Sequence, residues 1–169
     1  MKDNRMEFLK ANYHAHTWRC QHAYDTEREY IEAAISMGIE IFGFSDHVPC
    51  PYQDGYVSNI RMTMKQAPEY VETIRRLEAE YRDQIKIYVG FEAEYVPEFY
   101  EEQMRMFRNL GCDYMIMGQH FLGSEENGPY TGTETEDESR IRRYVDLVIE
   151  GMQTGSYAYL AHPDLMNYQ

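Results

Sequence analysis

Six histidines are spread along the 169 residues, several of them beside other groups that could ligate a metal. His14 and His16 form an H-x-H pair, with His22 six positions on from His16. Asp46 and His47 close the run Phe44-Ser45-Asp46-His47, and Glu92 and Glu94 close Gly90-Phe91-Glu92-Ala93-Glu94. His120 closes Gly118-Gln119-His120, and His162 stands in Ala161-His162-Pro163-Asp164. Imidazole with carboxylate is the donor set of Zn²⁺, Mn²⁺ or Fe, unlike the all-oxygen cage of Ca²⁺. Residues two apart in an extended segment point the same way, so both rings of the H-x-H pair can grip one ion. Six imidazoles and several carboxylates exceed what a single tetrahedral ion can use. A cluster of divalent ions is therefore expected, with Glu92, which has two oxygens to share, as the bridging carboxylate. Clustered divalent ions favour phosphoester hydrolysis: one lowers the pKa of a bound water while its neighbours hold phosphoryl oxygens and stabilise the leaving alkoxide.

Convergence of this kind needs a scaffold that brings distant segments to one face. Residues 8–13 read as a first short strand. Thr26 and Glu29 form a T-x-x-E capping box at the head of a helix predicted to run to Met37. Its positions Tyr30, Ala33, Ala34 and Met37 follow i, i+3, i+4, i+7, and Gly38 sits where a C′ glycine belongs. Residues 39–44 are apolar on both parities except at Glu40, as in a strand covered on both faces. A helix beginning soon after Met64 carries Tyr70, Ile74, Leu77 and Tyr81, and residues 85–91 read as a strand. Pro97 suits the first turn of a helix with Tyr100, Met104 and Phe107 on one face. A strand over residues 114–117, an acidic loop over 123–137, a helix carrying Ile141, Tyr144, Val145 and Val148, and a last strand over 157–161 complete the pattern. About five β-α units with short joints predict a parallel α/β sheet or partial barrel. Such folds open the carboxyl ends of their strands onto one face, so all six histidines are expected at one mouth.

Composition narrows the function. Sixteen Lys+Arg against 29 Asp+Glu give a net charge of −13, which speaks against a general nucleic-acid or anionic-membrane binder. Bound cations would still make the local field at the mouth positive. The apolar runs are far short of a membrane span, residues 1–8 hold no secretory apolar core, and no repeat or linker divides the chain. A single domain over residues 1–169 is expected. Cys20, Cys50 and Cys112 are odd in number and lack a CxxC pair, so a reducing cytoplasm is the expected compartment. Around the histidines, Asp46 is a candidate partner for the His47 ring, Glu94 could orient a ligand, and Asp164 could bond His162 or a bound water. Arg61, in Ser58-Asn59-Ile60-Arg61-Met62, and Arg19 are the candidates for bidentate contact with a substrate phosphate. Cys20 lies between His16 and His22 but has no base arranged to make it a nucleophile.

At these residues the chain resembles the polymerase-and-histidinol-phosphatase (PHP) superfamily, and within it the histidinol-phosphatase-like branch. The matching pieces are His14-Ala15-His16 with His22, Ser45-Asp46-His47, Gly90-Phe91-Glu92-Ala93-Glu94-Tyr95, Asp113-Tyr114 leading to Gly118-Gln119-His120-Phe121, and Ala161-His162-Pro163-Asp164-Leu165. They come in the family's order. The resemblance implies an α/β fold, a PHP-type distorted (βα)7 TIM-like barrel, here ending after about five βα units. It implies two to three divalent metals (Zn, Mn or Fe). His14 and His16 would bind the first, and Glu92 would bridge to a second completed by His120 and His162. His22 and His47 would belong to a third. Glu92, Asp46 and Asp164 are the expected catalytic groups. The implied reaction is phosphomonoester hydrolysis on a small phosphorylated metabolite, histidinol phosphate in the name-giving enzymes of histidine biosynthesis, with no nucleic acid or membrane as partner.

In the family a later strand supplies an Asp-x-His pair to the first and third metals, and no such pair occurs here before Gln169. Those two sites are thus expected to be short of protein ligands and the second complete. An open barrel exposes sheet edges and apolar interior, a liability that invites another chain, and a homo-oligomer covering the open edge is one solution. Two other readings stay open. One is a nuclease of the same superfamily, which the acidity and the lack of a basic aromatic stripe oppose. The other is a catalytically impaired metal-binding or assembly fragment, which the missing ligands support.

Overall fold

The structure is a computed structural model that describes residues 10–52 and 55–169. Four parallel strands, β1 (Ala11–Asn12), β2 (Ile41–His47), β3 (Lys86–Ala93) and β4 (Tyr114–Met117), pair in sequential order. Between and after them run α1 (Glu27–Ser36), α2 (Ala67–Tyr81), α3 (Pro97–Leu110) and α4 (Glu138–Gln153). Sequential parallel order with a helix in each joint is the product of same-handed βαβ crossovers, which stack the helices on one face and leave the other as the inside of a barrel segment. The four strands curl as half of such a barrel.

Parity along the strands sorts the two faces. Phe42 and Phe44 of β2, Ile87, Val89, Phe91 and Ala93 of β3, and Met115 and Met117 of β4 are buried in the apolar core under the helices. Ile31 of α1 and Tyr70, Ile74 and Leu77 of α2 meet them there. The intervening positions are chemically different: Gly43, Ser45 and His47, then Tyr88, Gly90 and Glu92, then Tyr114 and Ile116. The sheet thus spends one face on stability and turns the other, at its carboxyl end, to ionisable groups.

The local signals act as the sequence implies. Thr26 and Glu29 form a reciprocal capping box at α1, and Pro97 opens α3. Three expectations shift. The first strand is only two residues in the described chain, and positions before 10 lie outside the described residues. The second strand runs on to His47. The expected fifth strand is a single parallel bridge, Met117 with Leu160, held to β4 by Ala158 N donating to Met115 O, Met117 N to Tyr159 O and Ala161 N to Met117 O. The segment lies where a fifth strand would, but it pairs on one side only with a strand four residues long.

Candidate metal centre

Strand register does most of the positioning. His47 and Glu92 are partners across β2 and β3, and Glu92 pairs with Ile116 across β3 and β4. After β1 the chain stays against β2, where Ser45 N donates to Ala15 O at 2.9 Å, and this lays His16 beside His47, with His14 next to His16. His14 N donates to Asn12 Oδ1 at 2.9 Å. His162 ends the docked segment with φ of 32°, a left-handed backbone that is uncommon outside glycine and gathers at functional sites. That turn returns its ring to Glu92. All six histidines and Glu92 line one cavity of about 550 Å³, whose apolar rim is Ile60, Phe121, Tyr130 and Leu165.

Glu92 is the hub. Its Oε2 lies 3.3 Å from His14 Nε2, 3.2 Å from His16 Nε2 and 3.4 Å from His47 Nδ1. Its Oε1 lies 2.6 Å from His162 Nε2 and 3.6 Å from His120 Nε2. His14 Nε2 and His16 Nε2 are 3.1 Å apart. Within this crowd Glu92 Oε2, His16 Nδ1 and His47 Nδ1 are buried without a hydrogen-bond partner. Native interiors seldom leave such atoms unsatisfied, and a carboxylate oxygen ringed by imidazole nitrogens is a cation's donor set. His14, His16 and Glu92 present ligand atoms all within 4.8 Å of one another; so do His47, Glu92 and His120, and so do His16, Cys20 and His22.

The electrostatics point the same way. Burial opposes charge on Glu92, but the surrounding imidazoles of His14, His16 and His162 outweigh it and hold the carboxyl far below its usual range. Burial likewise opposes a charged His16, yet Asp46, Cys20 and Glu92 push it up to about 11. His47, more deeply enclosed, is driven well below its ordinary value by desolvation. Hydrogen bonding to Glu92 raises His162. The pocket calls for positive charge at its centre, and a divalent ion there suits these donors.

Supporting contacts revise several expectations. Asp46 is buried and accepts from Thr17 N at 3.1 Å, from Thr17 Oγ1 and from His47 N at 2.8 Å. Its Oδ1 lies 3.4 Å from His16 Nδ1. The ring beside Asp46 is therefore that of His16 rather than His47, because the carboxylate is bonded to Thr17, the residue that follows His16. Arg61 and Arg19 do not line the cavity. Arg61 forks onto Glu94 and reaches Glu125, while Arg19 is held by Glu27 at the start of α1 and Glu69 in the first turn of α2. A buried guanidinium must be paired, and these carboxylates use the donors a phosphate would need. Asp164 is exposed and is not among the cavity residues. Glu94 accepts from His120 Nδ1 at 2.9 Å and orients that ring. Two further contributors went unread in the sequence. Thr17, which anchors Asp46, gave no signal beyond following His16. Gly118, whose missing side chain makes room for the Glu92 carboxylate, was legible only as a glycine at a strand end.

A parallel α/β half-barrel with imidazoles and a carboxylate gathered at its strand ends defines a class: metal-site domains built on barrel strands. The PHP domain family model matches residues 12–169, and the chain belongs to that family. A "Probable histidinol-phosphatase" of Deinococcus radiodurans is 33% identical over 159 residues, covering 90% of this chain and 59% of the relative. The histidinol-phosphatase of Bacillus subtilis is 32% identical over 125 residues, covering 70% of this chain and 46% of the relative. The chain thus spans about half the length of these curated relatives. A crystal structure of histidinol phosphate phosphatase from Lactococcus lactis, complexed with zinc, L-histidinol and phosphate, has the same fold. Its TM-score is 0.72 at 24% identity, over 94% of this chain and 60% of that one.

Proposed function

We propose that this chain carries the metal centre of a phosphomonoester hydrolase of the histidinol-phosphatase kind, acting on a small phosphorylated metabolite. The observation that carries the reading is the buried, partnerless Oε2 of Glu92 with three imidazole nitrogens within 3.4 Å. His14, His16 and Glu92 would hold one ion, Glu92, His120 and His162 a second, and His22 with His47 a third, the metal being Zn, Mn or Fe. Such ions, when bound, supply Lewis acidity toward phosphoryl oxygens and a nucleophile active near neutral pH. The chain's own groups orient and enclose. Glu92 shares its two oxygens, Asp46 braces His16, Glu94 fixes His120, and Ile60, Phe121, Tyr130 and Leu165 complete the wall of the cavity. The names of the relatives support histidinol phosphate as the substrate. Three thiols with no disulfide among them suit a reducing cytoplasm, and among the described residues no helix is long and apolar enough to cross a membrane.

Metal content of the purified chain, followed by phosphate release from histidinol phosphate with added Zn²⁺ or Mn²⁺, tests the reading. Bound metal, with activity lost in His14→Ala and Glu92→Gln, is the expected result; a metal-free chain indifferent to both substitutions overturns it. One observation favours a second reading, a metal-binding module without turnover that a further chain or second copy completes over the open edge. Among the described residues no Arg or Lys lines the cavity to neutralise phosphate beside the ions. Metal uptake without phosphate release, restored on oligomerisation, would select it. Nuclease activity is disfavoured by the charge of −13.

A further inference from the structure

Arg61 is absent from the cavity wall, yet nearly every donor it has is engaged. Its side chain is 1% exposed. Nη1 donates to Glu94 Oε2 and Nη2 to Glu94 Oε1, both at 3.0 Å. Nη1 also donates to Val48 O at 3.0 Å, and Nε to Glu125 Oε2 at 2.7 Å. One guanidinium thus ties together the loop after β2, the segment leaving β3 and the loop after β4. Glu125 is held in turn by the hydroxyls of Tyr52, Tyr56 and Ser58. Glu94 Oε1 accepts twice, from Arg61 Nη2 and from His120 Nδ1. An ionised carboxylate only accepts, so Nδ1 carries the His120 proton and Nε2 is left to face Glu92 Oε1.

We infer that Arg61 is a positioning residue for the metal centre: its two-pronged bond fixes the Glu94 carboxylate, and Glu94 fixes the His120 ring with Nε2 turned to Glu92. The inference rests on the metal-centre reading above. Both prongs are spent on one carboxylate, and the residue lies outside the cavity wall where a substrate would sit. The planar match holds both Glu94 oxygens at once, which a lysine's single ammonium cannot do. A carboxylate behind a ligating imidazole sets its tautomer and orientation, and losing such a partner weakens metal binding about 10- to 100-fold.

Zinc binding to the full chain, measured by competition with a chromophoric chelator, decides the matter in the wild type, Arg61→Lys, Arg61→Gln, Glu94→Gln and the double variant Arg61→Gln/Glu94→Gln. Circular dichroism confirms that each is folded. The expected result is about a tenfold or greater loss at one zinc position in each single variant, with the other positions retained. The double variant should bind no more weakly than Glu94→Gln, because the two residues act through one contact. Nitrogen-15 spectra of the zinc-free chain should show His120 losing its single Nδ1–H tautomer in Arg61→Lys, the variant that keeps the charge and is the safeguard should Arg61→Gln not fold. Arg61→Lys with wild-type zinc binding and an unchanged His120 spectrum overturns the inference. So do losses that add in full in the double variant, or that fall equally on every zinc position. A wild-type chain that takes up no zinc fails earlier and overturns the metal-centre reading itself.

Discussion

At the scale of single residues the site is packed tightly enough that one methyl group decides its chemistry. A Cβ at Gly118 would run into the Glu92 carboxylate and approach His120 Cε1 to 2.7 Å. Gly118 is not among the positive-φ positions, so alanine suits the backbone and the conflict is with the site alone. Glu92 cannot swing away without losing the ring nitrogens around it. Gly118→Ala is expected to cost about 1–3 kcal/mol of stability, the usual overpacking penalty, and to weaken zinc uptake at the two positions that share Glu92. Calorimetric titration with Zn²⁺ beside urea unfolding checks both, and wild-type zinc affinity would refute it. Asp46→Asn tests the opposite side of the cluster. The Asp46 oxygens already accept three donors, so an amide must turn an N–H toward another donor. Stability should fall by about 1–3 kcal/mol, read from the urea midpoint. An unchanged midpoint would mean that these bonds contribute little to folding.

At the scale of elements, the features decided within a few residues were legible in the sequence and the long-range ones were not. The α1 capping box is local: Thr26 Oγ1 accepts from Glu29 N while the Glu29 carboxylate accepts from Thr26 N. Thr26→Ala should therefore lower stability by about 1 kcal/mol without touching metal binding, as urea unfolding with and without zinc would show. The order of strands and helices was equally readable, and with it the gathering of histidines at strand ends. The expectation that the second strand is apolar on both faces was not met, since only Phe42 and Phe44 enter the core and Ser45 and His47 take the other face. The arginines show where reading stops. That Arg61 and Arg19 lie on mouth-side loops follows from chain order, but Arg61's partners are 33 and 64 positions away and Arg19's are 8 and 50. No spacing rule reports which carboxylate a buried guanidinium will find. Segment 157–161 shows a second limit, since its apolar and aromatic composition suits a strand but pairing on one side only leaves it a single bridge.

At the scale of the whole molecule, folding buries weak acids along with the apolar core, and that sets how the fold responds to alkali. Desolvation pushes the Cys50 thiol up from 9.0 to about 11 and that of Cys112 to about 12. The phenols of Tyr70, Tyr114 and Tyr157 are likewise raised above 10.0 by burial. The native state therefore keeps these protons to higher pH than the unfolded chain does. Above pH 9 the unfolded chain binds fewer protons, so the free energy of unfolding falls as pH rises. These groups' contribution is whole below pH 9 and is lost progressively as pH climbs through 11 and 12. Urea midpoints at pH 8, 9, 10 and 11 should hold steady over the first interval and then decline with increasing slope. Cys112→Ala should flatten the early part of that decline, because thiols titrate before phenols in the unfolded chain. A midpoint constant to pH 11 would show that these groups meet water in the native state.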